Sequence, residues 1–300
     1  MFSCLHTHTD YSVLDGMMTV GRAFSRAKEL GYSALAVTEH NNLASMFHAL
    51  DESTSNDVQY IPGVEFNFKE SAEDRNPHQL VVLATTHSGL KSILKTTYQS
   101  YCRDVNYPYI LWGDLEILDT EGVYVLSGGA GGVLAVKTLL YGPRIGNELV
   151  DRFLMVFKDR FFIETNIPFD NKQKEINMLL KDISEKKGVR RVLALDSHFA
   201  VEDDRYLFNI FLAIQNKGSI YEKDSLFYYR PPLLSEDEIR SQAKESGLIA
   251  DVDATVELSR LCDDPREYLK PSERFLMPEF DVKSADNYEE FIAWRNKSRA

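Results

Sequence analysis

The chain contains 300 residues, of which 44% are hydrophobic and 27% charged, as expected for a globular protein with a substantial core. No apolar run approaches the ~20 residues of a membrane span, and the first residues lack the pattern of a secretory signal. The formal net charge of -12 repels phosphate backbones on average, so contact with nucleic acid requires a local basic patch, metal ions or a basic partner. Cys4, Cys102 and Cys262 lie far apart and indicate reduced thiols. We therefore expect a cytoplasmic protein without membrane contact.

Short apolar runs alternate with helical periods along the first part of the chain. Val20, Phe24 and Ala27 share one face of a predicted helix, with Thr19 as its N-cap. Buried strands are predicted at residues 34–37, 60–64, 80–84, 123–126 and 192–195, and further helices at residues 176–183 and 207–214. This alternation predicts an α/β protein with a parallel sheet.

A closed barrel is the leading interpretation of this sheet, because closure removes its exposed edges. A doubly wound open sheet is the alternative. From about residue 220 the sequence pattern changes and predicts a proline-containing loop, short helical stretches and further prolines. We predict a metal-binding barrel over residues 1–220. Residues 221–300 are predicted to form a small helical extension and connector.

Histidines and carboxylates recur directly after the predicted strands. His6 and His8 are two residues apart, so both side chains of an extended segment point the same way. Asp196 and His198 repeat this spacing after a late strand. The further candidates are Asp15, His40, Glu65 and His78, of which His78 fits less simply because it precedes an apolar run. A barrel would bring the ends of its strands together, so these residues are predicted to form one metal site.

Each candidate also has an ordinary structural interpretation. Asp15 suits a turn, and Glu65 suits a solvated strand end. His78 suits the core, with its ring bonded to the backbone, and Asp196 suits a helix cap. The joint recurrence after several strands favours the metal site over these separate explanations.

A cluster of this composition supports metal-assisted hydrolysis. Mixed imidazole and carboxylate ligands suit zinc, manganese or iron. A bound divalent ion lowers the pKa of its water toward neutrality, and several cations together hold the oxygens of a phosphoester. Within the predicted cluster, Asp15, Glu65 and Asp196 are the candidate catalytic carboxylates.

Several segments resemble the polymerase and histidinol phosphatase (PHP) domain in the form that opens bacterial DNA polymerase III alpha subunits. They are residues 4–16 (CLHTHTDYSVLDG), 27–43 (AKELGYSALAVTEHNNL), 61–68 (IPGVEFNF), 78–84 (HQLVVLA) and 193–204 (LALDSHFAVEDD), and the likeness continues at residues 254–262 and 275–280. The resemblance implies a distorted seven-stranded α/β barrel that binds up to three metal ions through nine ligands. The ligands that match are His6, His8, Asp15, His40, Glu65, His78, Asp196 and His198.

Two positions depart from the family pattern. Gly129 stands where the family has a ninth ligand, a cysteine or histidine, and Glu39 stands where the family usually has aspartate. The resemblance with a missing ligand implies fewer than three tightly held ions.

The resemblance implies a metal-dependent phosphoesterase that acts as a proofreading 3′–5′ exonuclease on the primer end of DNA. The alternatives are a structural module that stabilises the polymerase and docks a separate proofreading subunit, and an independent small-molecule phosphatase, against which the polymerase-like carboxyl region argues. The implied partners are DNA, a polymerase core in cis or in trans, and proofreading and sliding-clamp subunits. In this family the polymerising centre follows the domain, so we expect a fragment or a split gene product without primer extension.

Overall fold

The computed structural model describes residues 1–219 and 230–270, together with residues 288, 289, 292 and 296. Within these residues the strands are β1 (Ser3–Cys4), β2 (Ala34–His40), β3 (Gln59–Phe68), β4 (His78–Ala84), β5 (Val123–Leu126), β6 (Phe161–Asn166) and β7 (Arg191–Ala194). They form one seven-stranded sheet in which neighbours in the chain are neighbours in the sheet. The resemblance in residues 275–280 lies outside the described residues.

The helices lie between and after these strands. They are α1 (Val20–Glu29), α2 (Met46–Asn56), α3 (His87–Arg103), α4 (Trp112–Leu115), α5 (Val133–Tyr141), α6 (Pro143–Phe157), α7 (Asn171–Lys187), α8 (Arg205–Gln215), α9 (Glu236–Ser246), α10 (Ile249–Ser259) and α11 (Pro265–Tyr268). Thr19 caps α1 as predicted, because its side chain accepts a hydrogen bond from the Arg22 N–H. Among the described residues, none of these helices has the length and apolar character that crossing a bilayer demands.

The sheet is not parallel throughout, and that part of the prediction is wrong. Strand β4 runs antiparallel to both β3 and β5, whereas the other neighbouring pairs are parallel. Residues 69–77, which join β3 to β4, contain no helix, and a connection this short cannot make a parallel crossover. Strand β4 therefore begins where its neighbours end, and His78 pairs with Phe68 at that end of the sheet.

The sheet curls into a nearly closed α/β barrel, which confirms the predicted fold class. Thr7 and Ser197 form a parallel bridge beyond the ends of β1 and β7, and the His8 N–H donates to the Ser197 carbonyl at 2.9 Å. This contact brings the first and last strands together. Closure at this end matters for function, because the predicted ligands follow these two strands.

Helix α10 covers the remaining seam between β7 and β1. The Thr255 hydroxyl accepts from the Leu193 N–H and lies 2.9 Å from the Leu193 carbonyl, so it occupies backbone groups of β7. On the other side of the seam, Ser259 Oγ lies 2.8 Å from Ser3 Oγ of β1. Leu258 joins the core inside the barrel. A helix over an incomplete edge satisfies its hydrogen bonds and shields it from other chains.

The chain divides into two compact units, residues 1–268 and 269–300. The boundary predicted between residues 220 and 221 lies outside the described residues. Residues 230–268 belong to the first unit because α10 packs across the seam of the barrel.

Candidate metal centre

The predicted ligands other than His78 converge at the end of the barrel where β2 and β3 finish. They are supplied by the loop after β1 (His6, His8, Asp15), the last residue of β2 (His40), β3 (Glu65) and the loop after β7 (Asp196, His198). Three positions around this end have left-handed backbone: Leu14 (φ 67°), Asn41 (φ 55°) and Asp196 (φ 55°). Non-glycine residues seldom adopt such φ values, and in proteins they cluster at functional sites.

One group of four ligand atoms comes from His6, His8, Glu65 and Asp196, all of them buried. His6 Nε2 lies 3.1 Å from His8 Nε2, 2.9 Å from Glu65 Oε2 and 3.5 Å from Asp196 Oδ1. His8 Nε2 lies 3.6 Å from both of these carboxylate oxygens. Four ligands held about 2.1 Å from a tetrahedral zinc ion stand about 3.4 Å apart, so the donor set fits a divalent ion.

Hydrogen bonds orient both imidazole rings toward this group. His6 Nδ1 donates to Glu164 Oε1 at 2.9 Å. His8 Nδ1 lies 3.0 Å from the Ser12 hydroxyl, which donates its own hydrogen to Glu39 and so accepts from the ring. Each ring therefore carries its proton on Nδ1 and directs the lone pair of Nε2 inward.

Lone pairs that converge in this way repel one another unless a cation lies between them. The buried Asp196 Oδ1 has no hydrogen-bond partner within the described part of the chain, as expected for an oxygen that serves a metal. A proton is the competing cation. Burial lowers the pKa of His6, but the charges of Glu164 and Asp196 outweigh burial and raise that pKa well above its usual value. Burial, together with His40 and His198, lowers the pKa of His8 to about 3, which keeps His8 neutral and able to bind a metal.

A second group of ligand atoms, from His8, His40 and His198, lies beside the first and shares His8 with it. Asp15 Oδ2 is 2.6 Å from His40 Nε2 and 3.0 Å from His198 Nε2, and His40 Nδ1 is 2.8 Å from Glu65 Oε1. Glu65 Oε1 thus contacts one nitrogen of the His40 ring while the other nitrogen faces Asp15, so Glu65 orients this ring toward the second group. Burial raises the pKa of Asp15, but His198 and His40 outweigh it and hold that pKa far below its usual range. The histidines and carboxylates at this end of the barrel therefore fit divalent metal binding.

Two residues at this centre were not predicted from the sequence. Glu164 lies in β6, which was not among the predicted strands because Glu164, Thr165 and Asn166 follow only three apolar residues. Arg230 follows β7 by more than thirty residues, and its Nη1 lies 2.6 Å from Asp196 Oδ2. The signal available for Glu164 was a carboxylate next to the apolar run of residues 161–163. No local pattern marks Arg230.

His78 and Gly129 are placed differently from the other predicted positions. His78 is half-buried at the start of β4 and joins neither group, and burial together with the Lys137 charge lowers its pKa. Gly129 has a φ of 56°, and a Cβ there would lie 2.3 Å from Asn166 Oδ1. Asn166 thus fills the space that a larger side chain at position 129 would need.

The chain is similar to several known proteins. The sequence model of the PHP domain matches residues 5–167. The chain is 26% identical to a DNA polymerase III subunit alpha from Aquifex aeolicus, over 97% of this chain and 27% of that protein. It is 29% identical to the corresponding subunit from Thermus aquaticus, over 93% of this chain and 24% of that protein. The chain therefore spans about a quarter of the length of these relatives.

Among solved structures, the chain is similar to one described as a candidate metal-dependent phosphoesterase from Bifidobacterium adolescentis. The two share 12% sequence identity with a TM-score of 0.48, and the match covers 81% of this chain and 95% of the other.

Proposed function

The chain belongs to the PHP domain family, and from this premise we propose that it is the metal-dependent phosphoesterase module of a replicative DNA polymerase III alpha subunit. Its proposed activity is 3′–5′ exonuclease action on a DNA primer end. The observation that carries the proposal is the convergence of four buried acceptor atoms from His6, His8, Glu65 and Asp196. Asp15, His40, His78 and His198 complete the proposed ligand set.

The side chains of this centre have separable tasks. When bound, the divalent ions, which we propose to be zinc, manganese or iron, activate water and hold the phosphate oxygens. Glu164 and Ser12 fix the His6 and His8 rings by accepting hydrogen bonds from their Nδ1–H groups. Asp15, Glu65 and Asp196 supply the negative charge that retains the cations. In addition, Glu65 contacts the rings of His6 and His40 through its two oxygens and so helps to orient both.

A structural role is the second candidate function, and one observation favours it. Asn166 fills the space beside Gly129. Because the resemblance places a further ligand of the family at this position, we propose that the chain holds fewer ions than the full family set. A centre reduced in this way would stabilise the polymerase and dock a separate proofreading subunit while catalysing weakly. The net charge of -12 also disfavours unaided binding of DNA.

The proposed function implies a substrate and several partners. The substrate is the primer 3′ end of DNA, and the polymerase core acts in cis or in trans. Residues 221–300 are the proposed extension toward that core, and proofreading and sliding-clamp subunits are further proposed partners in the cytoplasm.

A nuclease assay on the purified chain tests the proposal. With Mn²⁺ or Zn²⁺, the wild type should shorten a 5′-labelled single-stranded oligonucleotide stepwise from its 3′ end. Asp196→Asn and His198→Ala should remove this activity, whereas His48→Ala, a histidine on α2 outside the centre, should retain it. A metal-loaded wild type that leaves the oligonucleotide intact would support the structural role instead.

A further inference from the structure

A cavity of about 280 Å³ opens beside the metal centre and shares Asp196 and Arg230 with it. Asp196 points Oδ1 toward the His6 and His8 rings, whereas its Oδ2 lies 2.6 Å from Arg230 Nη1. A single carboxylate therefore separates the ion-binding group from the cavity. The cavity is therefore directly adjacent to the centre.

The walls of the cavity are mainly apolar. Val136 and Leu140 of α5 line one side, and Phe169 and Ile176 line the side formed by α7 and the segment before it. Leu140 is 66% exposed, although it is a large apolar side chain beside a polar centre. Apolar walls suit the flat face of a nucleobase, whatever its identity.

Polar groups lie at defined places in the same cavity. The amides of Asn166 and Gln173 line it, and Lys172 and Asp170 stand at the start of α7. The Nε2 of Gln173 donates a hydrogen bond to Asn177 at 3.0 Å. The other polar atom of the Gln173 side chain is its carbonyl oxygen, which is an acceptor. Ligand pockets commonly combine apolar walls with a few fixed polar groups, and a volume near the lower end of their ~300–1,000 Å³ range suits one small ligand.

We propose that this cavity receives the 3′-terminal nucleoside, with the 5′-phosphate of that nucleotide at the metal centre and Arg230 against the phosphate. The inference rests on the proposed exonuclease function and names the unit of substrate that this centre takes. Arg230 is the positioning residue, because its guanidinium borders both the centre and the cavity.

Binding measurements on the full chain test the inference without relying on catalysis. Calorimetric titrations of the Mn²⁺-loaded protein should give thymidine 5′-monophosphate an affinity about tenfold above that of inorganic phosphate. Val136→Trp, which fills the cavity from α5, should reduce the ratio of the two affinities to about one. Met178→Trp is the matched control, because Met178 on α7 is 67% exposed and lies outside the cavity lining, and its ratio should match that of wild type.

Leu140→Gln is a second cavity variant, which keeps the inference testable if Val136→Trp does not fold. This substitution at an exposed wall position should lower the ratio by about threefold with an unchanged melting curve. Equal affinity of the wild type for the nucleotide and for phosphate would overturn the inference, as would a ratio unchanged in both cavity variants. A wild type that prefers the nucleotide but degrades no DNA contradicts the exonuclease proposal and leaves the nucleotide site standing. A wild type that degrades DNA without this preference contradicts the nucleotide site alone.

Discussion

Side chains that do not belong to the group of ligand atoms set the orientation of its histidine rings. Glu164 is fully buried in β6 and holds the Nδ1 proton of His6, while Ser12 does the same for His8 and is itself held by Glu39. A ring fixed in this way presents its other nitrogen at a constant angle, which lowers the entropy lost on binding an ion. Residues of this kind determine affinity although they do not touch the ion.

Glu164→Gln should weaken metal binding while the protein stays folded. The amide keeps the shape of the carboxylate but loses the charge that favours the Nδ1–H form of His6, and losses of such partners typically cost about 10–100-fold in affinity. Competition against a chelator measures the effect, with the exposed Glu175→Gln on α7 as control. An affinity equal to that of wild type would show that His6 is not a ligand.

Gly129→Cys should destabilise the protein instead of restoring a ligand. The left-handed φ of 56° costs a residue with a Cβ about 1–2 kcal/mol, and that Cβ also meets Asn166 Oδ1. Urea unfolding of the metal-free protein measures the loss. Gly113→Cys is the matched control, because Gly113 has a negative φ and no atom near its added Cβ. A folded Gly129→Cys variant with wild-type stability and more bound metal would contradict this reading of the loop.

The sequence identified candidate ligands where they came as a local pattern. Pairs two residues apart mark His6 with His8, and Asp196 with His198, because an extended chain repeats its direction at that spacing. Glu164 and Arg230 have no such local mark, since only the closed barrel brings them to residues 158 and 34 positions away in the chain. His78 could not be placed because its position depends on the direction of β4.

At the scale of elements, the direction of β4 and the position of α10 shape the barrel. The apolar run of β4 predicts a strand but contains no information on its direction, which follows from the connection in residues 69–77. Similarly, the spacing in residues 254–262 predicts a helix but not its docking across the seam. The sequence therefore predicted most elements, and long-range packing determined how they were arranged.

Thr255→Val tests the seam covered by α10. Valine fits the space but leaves the Leu193 N–H without its acceptor, and an unsatisfied buried backbone group costs about 1–3 kcal/mol. The midpoint of urea unfolding should fall accordingly. Thr54→Val on α2, whose exposed hydroxyl bonds only within its own helix, should change it much less. Equal effects of the two substitutions would mean that the seam bond does not contribute.

At the scale of the first unit, the centre brings together segments that follow the first and the last strand of the barrel. Its ligands follow β1 and β7, whose bridge closes the sheet, and include residues of β2 and β3. A cation bound at the proposed centre would therefore oppose opening of the barrel. Binding to the folded state alone raises the free energy of unfolding in proportion to the logarithm of the ion concentration.

Added Mn²⁺ or Zn²⁺ should therefore raise the melting temperature, and chelation should reverse the rise. At an ion concentration roughly 100 times the Kd, the gain in unfolding free energy is about 2.7 kcal/mol. His8→Gln should lose this response because it removes one ligand of the first group, whereas His48→Ala should respond like the wild type. A wild-type melting temperature that is indifferent to both metal and chelator would refute the metal centre.

The closing bridge between Thr7 and Ser197 also governs the order of events during synthesis. His6 leaves the ribosome early, yet its partner Glu164 is 158 residues away, and the helix that covers the seam begins only at Ile249. Contacts of such sequence separation form late and slowly. The segment after β1 must therefore wait, with His6 and His8 accessible to other ions, until the strands through β7 and then α10 have been synthesised and the barrel can close.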